Sequence, residues 1–373
     1  MLTKSKQLTT SDDEQLSAKD NFMNTCKSPA TQYTYLKGLN YFMDYVKVDR
    51  EDFDKLLEKD PKLIQENICR FITDLKDRIA PATLSTYVAG IRKFYAMNDI
   101  ALNWEKIHSF EDEAVKVSED RPYVHTEIMQ LVEHANLRNR AVILLMSSTG
   151  IRLGAFPYLR VKDLEPIDKY NIFKIWVYAK SKRSRYFTFC TPEARQAIQS
   201  YLNWRKRLGE HVTKESLLFR SDFNTQRLEA ETKPITTRAI STAIGQLWVH
   251  VGMKKQHLET SEGYRRNEVM TCHGFRKFLE TEAFKAGMDH IYIRRLLGQK
   301  SGLEDSYLKL SEEDLLEGDD RHVGYVGIID QLTINEENRL KRKVEILKLH
   351  KDKLEQRIDN MEEKYDRILK LKL

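Results

Sequence analysis

Apolar and polar positions alternate in three different ways along the chain. Over residues 19–110 the spacing is helical. Ser28-Pro29-Ala30-Thr31 sets a capping residue before a proline at the first helical position, and Tyr33, Leu36, Leu39, Tyr41, Phe42 and Tyr45 follow as an aromatic stripe. Leu63, Ile64, Ile68, Phe71, Ile72 and Leu75 predict a second helix over 61–76. Ala80-Pro81-Ala82-Thr83 opens a third, with Leu84, Tyr87, Val88, Ile91, Phe94 and Tyr95 on its apolar face. The segments SPATQYTYLKGLNYF and APATLSTYVAGIRKFY echo each other. About four such helices make a small domain over 19–110. Residues 1–18 are polar and predict a loose tail, and 111–122, EDEAVKVSEDRP, predict a linker.

Residues 123–330 read as a larger, second domain. A helix is expected from Thr126 to about Ala135. Arg140-Ala-Val-Ile-Leu-Leu-Met-Ser147 is almost wholly apolar after its first residue and predicts a buried helix running into Ser148-Thr149-Gly150-Ile151-Arg152. Residues 172–178 and 185–190 read as strands joined by the turn Ala179-Lys180-Ser181-Lys182-Arg183-Ser184, a β-hairpin. Helical patterns return at 192–208, 236–251, 273–287 and 289–298. The stretches 209–235 and 253–268 are polar, and 299–321 reads as a mobile segment holding Tyr307 and a dense acidic run.

In residues 331–373 the period changes to seven. Leu340, Leu347, Leu354, Met361 and Ile368 recur at that spacing, and Val344, Ile358 and Tyr365 fill the other apolar position, interrupted by Glu337 and Lys351. No Pro or Gly occurs in this stretch, which predicts one long helix. A coiled coil, between chains or folded back, is the preferred expectation; docking on the chain's own globular part is the alternative.

Composition narrows the classes. Of 373 residues, 41% are hydrophobic, enough for real cores, and 32% are charged. No apolar run is long enough for a membrane span and no leader pattern is visible at the start, so a cytoplasmic location is expected. None of the four Cys forms a C-x-x-C pair, so neither a zinc site nor a disulfide scaffold is expected. The net charge of +6 permits a polyanionic partner without requiring one. Clustering says more. Lys174, Lys180, Lys182, Arg183 and Arg185 lie on the hairpin with no acid among residues 174–185, so DNA is their expected partner. Lys37, Arg92 and Lys93, one to three turns into the echoing helices, are candidate phosphate contacts; ordinary solvated faces are the plainer alternative.

Five ordered motifs in 123–330 carry the chemistry: Thr149-Gly150-Ile151-Arg152; the Lys180 turn; His273-Gly274-Phe275-Arg276; Leu296-Leu297-Gly298-Gln299-Lys300; and Tyr307. Together, in this order and spacing, they resemble the tyrosine recombinase/integrase family. The resemblance implies a mainly α fold with a small antiparallel sheet or hairpin, built as a two-domain DNA clamp with 19–110 as the core-binding domain. It implies Arg152, Lys180, His273, Arg276, Gln299 and Tyr307 as catalytic, with Lys300 nearby on DNA and no metal or cofactor. The implied partners are double-stranded attachment sites, further copies of the chain in a tetramer on DNA, and an accessory DNA-bending protein.

The residue types suit the reaction. A Tyr hydroxyl can form a reversible phosphodiester link, two Arg forks can hold the charge that gathers on the non-bridging oxygens, and a Lys can protonate the leaving oxygen. Lys182 competes with Lys180 for the last role, and Tyr292 with Tyr307 for the first. Two positions depart from the family pattern: Gln299 stands where His is usual, and Ala155 where an acidic residue usually supports the first Arg. The alternatives are a resolvase or topoisomerase-like enzyme with the same Tyr chemistry, and a catalytically silent DNA-binding protein on the same fold.

Overall fold

A computed structural model describes residues 16–111, 120–222, 232–253, 257–259, 265–299 and 310–340, with positions 344, 348, 351, 354–358 and 361 of the C-terminal helix. Two compact units result, Met1–Ser118 and Glu119–Leu373, dividing within the polar 111–122 stretch.

The first unit contains α1 (Ala18–Asn24), α2 (Pro29–Tyr45), α3 (Pro61–Lys76), α4 (Pro81–Met97) and α5 (Trp104–His108). Most of the expected tail lies outside the described residues, but its last residue, Ala18, already opens α1 behind a Ser17 cap. Ser28 caps α2 by accepting from the Thr31 N–H at 3.1 Å. The echoing segments are α2 and α4, and they cross tightly. A Cβ on Gly38 would lie 2.6 Å from the Tyr87 backbone, and one on Gly90 would lie 2.8 Å from the Tyr35 carbonyl. Each helix thus offers a Tyr and, three residues later, the Gly that receives the other's Tyr. Phe22, Leu39, Phe42, Ile68, Phe71, Ile91 and Phe94 fill the core, at about 1.5–3 kcal/mol per buried side chain.

The second unit is built around α7 (Leu137–Thr149), every residue of which from Ala141 to Thr149 is buried. Around it pack α6 (His125–His134), α8 (Pro192–Arg207), α9 (Thr237–His250) and α10 (His273–Lys285). Three antiparallel strands, β1 (Leu164–Ile167), β2 (Ile172–Val177) and β3 (Tyr186–Phe189), form a sheet in the order β1-β2-β3. The hairpin was expected; β1 was not, because it is four residues long with Pro166 inside, which only an edge strand tolerates. The polar 253–268 stretch contains a second ribbon, β4 (His257–Glu259) with β5 (Arg265–Asn267). Then come α11 (His290–Leu296), α12 (Glu312–Leu316) and α13 (Tyr325–Leu332). The fold is mainly helical with a small antiparallel sheet, as the sequence implies. Among the described residues, no helix is long and apolar enough to cross a membrane.

The acidic stretch read as mobile is, from residue 310 on, tied to the sheet. Glu312 pairs with Lys174, and Glu317 with Lys169 at 2.9 Å and the Tyr170 hydroxyl at 2.6 Å. Composition hid this because the basic partners lie about 140 residues earlier in the chain.

Candidate active site

Gly150 ends α7 in the left-handed region at φ 59°, its N–H donating to the Met146 carbonyl at 2.9 Å. A Cβ here would sit 2.5 Å from a Leu297 methyl and 2.9 Å from one of Leu279, so both the dihedral and the space demand glycine. The Tyr325 hydroxyl, buried in α13, donates to the Ser148 carbonyl at 2.7 Å and steadies the end of α7. This rigid turn delivers Arg152 to the surface. Among the described residues, the Arg152 guanidinium has neither an ion pair nor a hydrogen bond. Ala155, where support for it would be expected, is buried and apolar.

Arg276 lies one turn into α10 and is only 5% exposed. Its two terminal nitrogens donate to the Gly150 carbonyl at 2.8 Å and the Leu297 carbonyl at 2.9 Å. One side chain therefore ties the first motif, the third and the fourth together. Each terminal nitrogen carries a second N–H, which remains for an anion. Burial, and then the nearby positive charge of Arg152, push its pKa down; both features favour a bound negative group. His273, the first residue of α10, is exposed at its edge. Partial desolvation, then Lys277 and Arg276, hold its pKa below the usual histidine value, which favours a neutral ring.

The hairpin's turn spans 178–185. Tyr178 has φ 52°, and its carbonyl accepts from the Ser181 N–H at 2.8 Å. Lys180 is exposed and lines a cavity of about 560 Å³ with Pro157, Tyr158, Arg160, Lys162 and Tyr178, so it stands next to the segment that follows Arg152. Lys182 and Arg183 are exposed, and Arg185 is also exposed, its guanidinium held 4.0 Å over the Trp176 ring. The reading of Lys174 as a DNA contact is corrected. It is 7% exposed, ion-paired with Glu165 at 3.1 Å and with Glu312, and it packs over the rings of Trp176 and Phe187. Its position on β2, directly across the ladder from Glu165, puts it under the sheet's cover rather than in the turn.

The sequence reading missed Tyr186. Its ring fills the space a side chain on Gly298 would occupy, 2.4 Å from that Cβ position. Its buried hydroxyl makes no well-formed hydrogen bond among the described residues, though it lies close to the Arg276 guanidinium. Burial pushes its pKa up to about 12, while Arg276 and Arg152 oppose that rise. The only signal was its place at the end of a basic turn. Gln299 follows Gly298 half-buried, its N–H on the Arg294 carbonyl at 2.9 Å. Lys300 and Tyr307 lie outside the described residues. Tyr292, the competing nucleophile, is 3% exposed and stacked on His322, so it belongs to the core.

The structure brings Arg152, Arg276, His273, Gln299 and the Lys180 turn to one part of the second unit. In the first unit, Lys37 lies 6.0 Å over the ring of the buried Tyr87, which stacks on the exposed Tyr41, and Arg92 lies 5.7 Å over Trp104 and bonds His108, with Lys93 half-buried beside it. Among the described residues, no group of three or more His, Cys, Asp and Glu is placed to hold a metal ion.

Residues 122–304 match the model of the Phage integrase family. Tyrosine recombinase XerC of Leptospira interrogans is 22% identical over 301 residues, covering 78% of this chain and 86% of that protein. Tyrosine recombinase XerC of Lactobacillus leichmannii is 23% identical over 188 residues, and there the match spans 47% of this chain and 58% of its relative's length. Among solved structures, XerH site-specific recombinase bound to a palindromic difH substrate, a post-cleavage complex, shares the fold with a TM-score of 0.53 at 16% identity, over 78% of this chain and 84% of that one.

Proposed function

We propose that the chain, residues 122–304 of which match the model of the phage integrase family, is a site-specific DNA strand transferase of the tyrosine recombinase type. Its substrate is duplex DNA and its intermediate a 3′-phosphotyrosine. The observation that carries this reading is the pair Arg152 and Arg276. The two guanidiniums are near enough for the charge of Arg152 to push the pKa of Arg276 down, neither has a carboxylate partner among the described residues, and the buried Arg276 is bonded to the turn that presents Arg152. Such a pair is stable when an anion such as a phosphate lies between.

In the proposed reaction the Tyr307 oxygen attacks phosphorus while Arg152 and Arg276 hold the non-bridging oxygens. The Tyr proton passes to the neutral ring of His273. The new bond is Tyr Oη–P and the broken one is P–O5′, with Lys180 supplying the proton that the leaving 5′ oxygen takes. A free 5′-hydroxyl from a partner strand reverses the steps and passes through a Holliday junction. Gln299 donates to the phosphate but carries no proton to exchange, so in this reading it binds rather than relays. Lys182, Arg183 and Arg185 track the backbone beside Lys180, and Lys37, Arg92 and Lys93 do the same from the first unit, with affinity falling steeply with salt. Assembly on paired sites as a tetramer is part of the same reading.

The test is covalent trapping. Supercoiled plasmid carrying the DNA that flanks the protein's own gene is mixed with protein and quenched in SDS. An adduct with the natural chain that is missing with Tyr307→Phe is the expected result. An adduct with both proteins refutes Tyr307 as nucleophile, and DNA binding without any adduct supports the silent DNA-binding alternative.

A further inference from the structure

The C-terminal helix begins on a fixed base. The Glu193 carboxylate at the start of α8 accepts from the Ile334 N–H at 2.8 Å, the Asn335 N–H at 2.9 Å and the Asn338 side-chain amide at 3.2 Å. Asn335 then caps the helix through the Asn338 N–H at 3.0 Å. Beyond this base the chain's own second unit does not cover the apolar stripe: Leu340 is 55% exposed, Val344 50%, Leu354 58%, Ile358 50% and Met361 64%.

A helix lying on a globular surface follows a period of 3.6. This stripe keeps to seven from Leu340 to Ile368, the period of a left-handed supercoil with another helix. With no Gly or Pro in 331–373, the helix offers no break at which to fold back on itself. We infer that its partner is the same helix of a second copy, paired in parallel and in register as a two-stranded coiled coil roughly 45–50 Å long. The inference does not depend on the strand-transfer reading.

The core residues specify the number and direction of strands. Val344 and Ile358 occupy one core position while Leu340, Leu347 and Leu354 occupy the other; β-branched residues at the first and Leu at the second favour two parallel strands. Lys351 takes the first position once. It pairs with Glu355 of its own helix at 3.3 Å, which leaves its charge at the rim of a two-stranded core. The flanking charges agree. In parallel register Glu336 faces Lys341, Arg357 faces Glu362 and His350 faces Glu355 of the other copy, against one like pair, Lys343 with Lys348. Antiparallel pairing would instead set Lys343, His350, Arg357 and Lys364 of the two copies along one seam, which is basic except for Glu336 at its start.

The experiment is light scattering of the full chain without DNA, beside Leu354→Asp/Ile358→Asp. Both changed residues are exposed, so the globular units keep their thermal unfolding. Two chains for the natural protein and one for the double variant are expected at the same concentration. Leu340→Cys and Met361→Cys, each alone, should form self-disulfides between copies under oxidation that the natural chain does not form. A monomeric natural protein overturns the proposal and leaves the stripe to DNA or another partner. A double variant that remains dimeric also overturns it. A dimer in which Leu340→Cys joins no second copy overturns the parallel register.

Discussion

Lys174 and Lys180 stand six positions apart on one hairpin, and the sequence alone assigns both to DNA. The structure separates them completely. The strand end of the hairpin is a closed structural site, where Lys174 is walled by Trp176 and Phe187 and neutralised by Glu165 and Glu312. The turn end is open, and Lys180 faces a cavity shared with the segment after Arg152. What differs is ladder position. A residue across from an edge-strand Glu gets a fixed partner, whereas one in an eight-residue turn keeps its charge for a ligand. A run of positive charge is therefore not one feature but as many as the backbone makes of it.

Exchanging the losses should show the difference most sharply. Lys180→Ala should lower the rate of strand cleavage by about 10²–10⁴-fold, the range for a missing general acid, with unfolding unchanged. Cleavage rates and urea unfolding measured on the same preparation check this. A stability loss comparable to that of Lys174→Met would erase the distinction between the two ends.

Lys174→Met should do the reverse. It removes a buried ammonium from two carboxylates that are themselves about half exposed, so the loss is about 1–2 kcal/mol, read by urea unfolding with tryptophan fluorescence. DNA affinity and its salt dependence should stay put, whereas Arg183→Ala should reduce the salt slope by about one phosphate contact.

Smaller again is the expected effect of Tyr186→Phe. Removing a buried hydroxyl that makes no well-formed hydrogen bond among the described residues should leave stability nearly unchanged. If that hydroxyl orients the Arg pair toward phosphate, cleavage falls about tenfold, near 1.4 kcal/mol of barrier. Equal cleavage rates at saturating DNA would make Tyr186 a packing residue for Gly298 alone.

The mildest effect is a pH limb. His273 has a folded pKa below its unfolded value, so its neutral form is favoured in the native protein. The associated stability is present above the unfolded pKa and is lost as pH falls through the folded one. Cleavage should fall with acid on a limb below pH 6.5, and His273→Gln should flatten it. A limb unchanged in that variant assigns the proton acceptor elsewhere.

Much of the frame was legible because it rests on local signals. Proline-led helix starts gave α2 and α4, apolar spacing gave α3, and the apolar run ending in Gly150 gave α7 and the turn that carries Arg152. The hairpin followed from two β-rich runs around a basic turn. The fold class and the family resemblance hold. What stayed hidden depends on distant partners. Lys174 needed Glu312, Arg276 needed the carbonyls of Gly150 and Leu297, and Tyr186 needed the bare Gly298. The short edge strand with Pro166 carries too little pattern to stand out, and the reciprocal Tyr35–Gly90 and Tyr87–Gly38 crossing emerges only when the echoing segments are placed against each other.

The most direct test of the central claim replaces the 5′-bridging oxygen of the scissile phosphate with sulfur, at the site located by covalent trapping. A thiolate leaves without needing a proton, so the general acid becomes dispensable while the Arg pair and the nucleophile do not. Lys180→Ala should then cleave at close to the natural rate, with Arg152→Ala and Tyr307→Phe still inactive. A Lys180→Ala enzyme that stays slow on the sulfur substrate would contradict the account and reduce Lys180 to one more backbone contact.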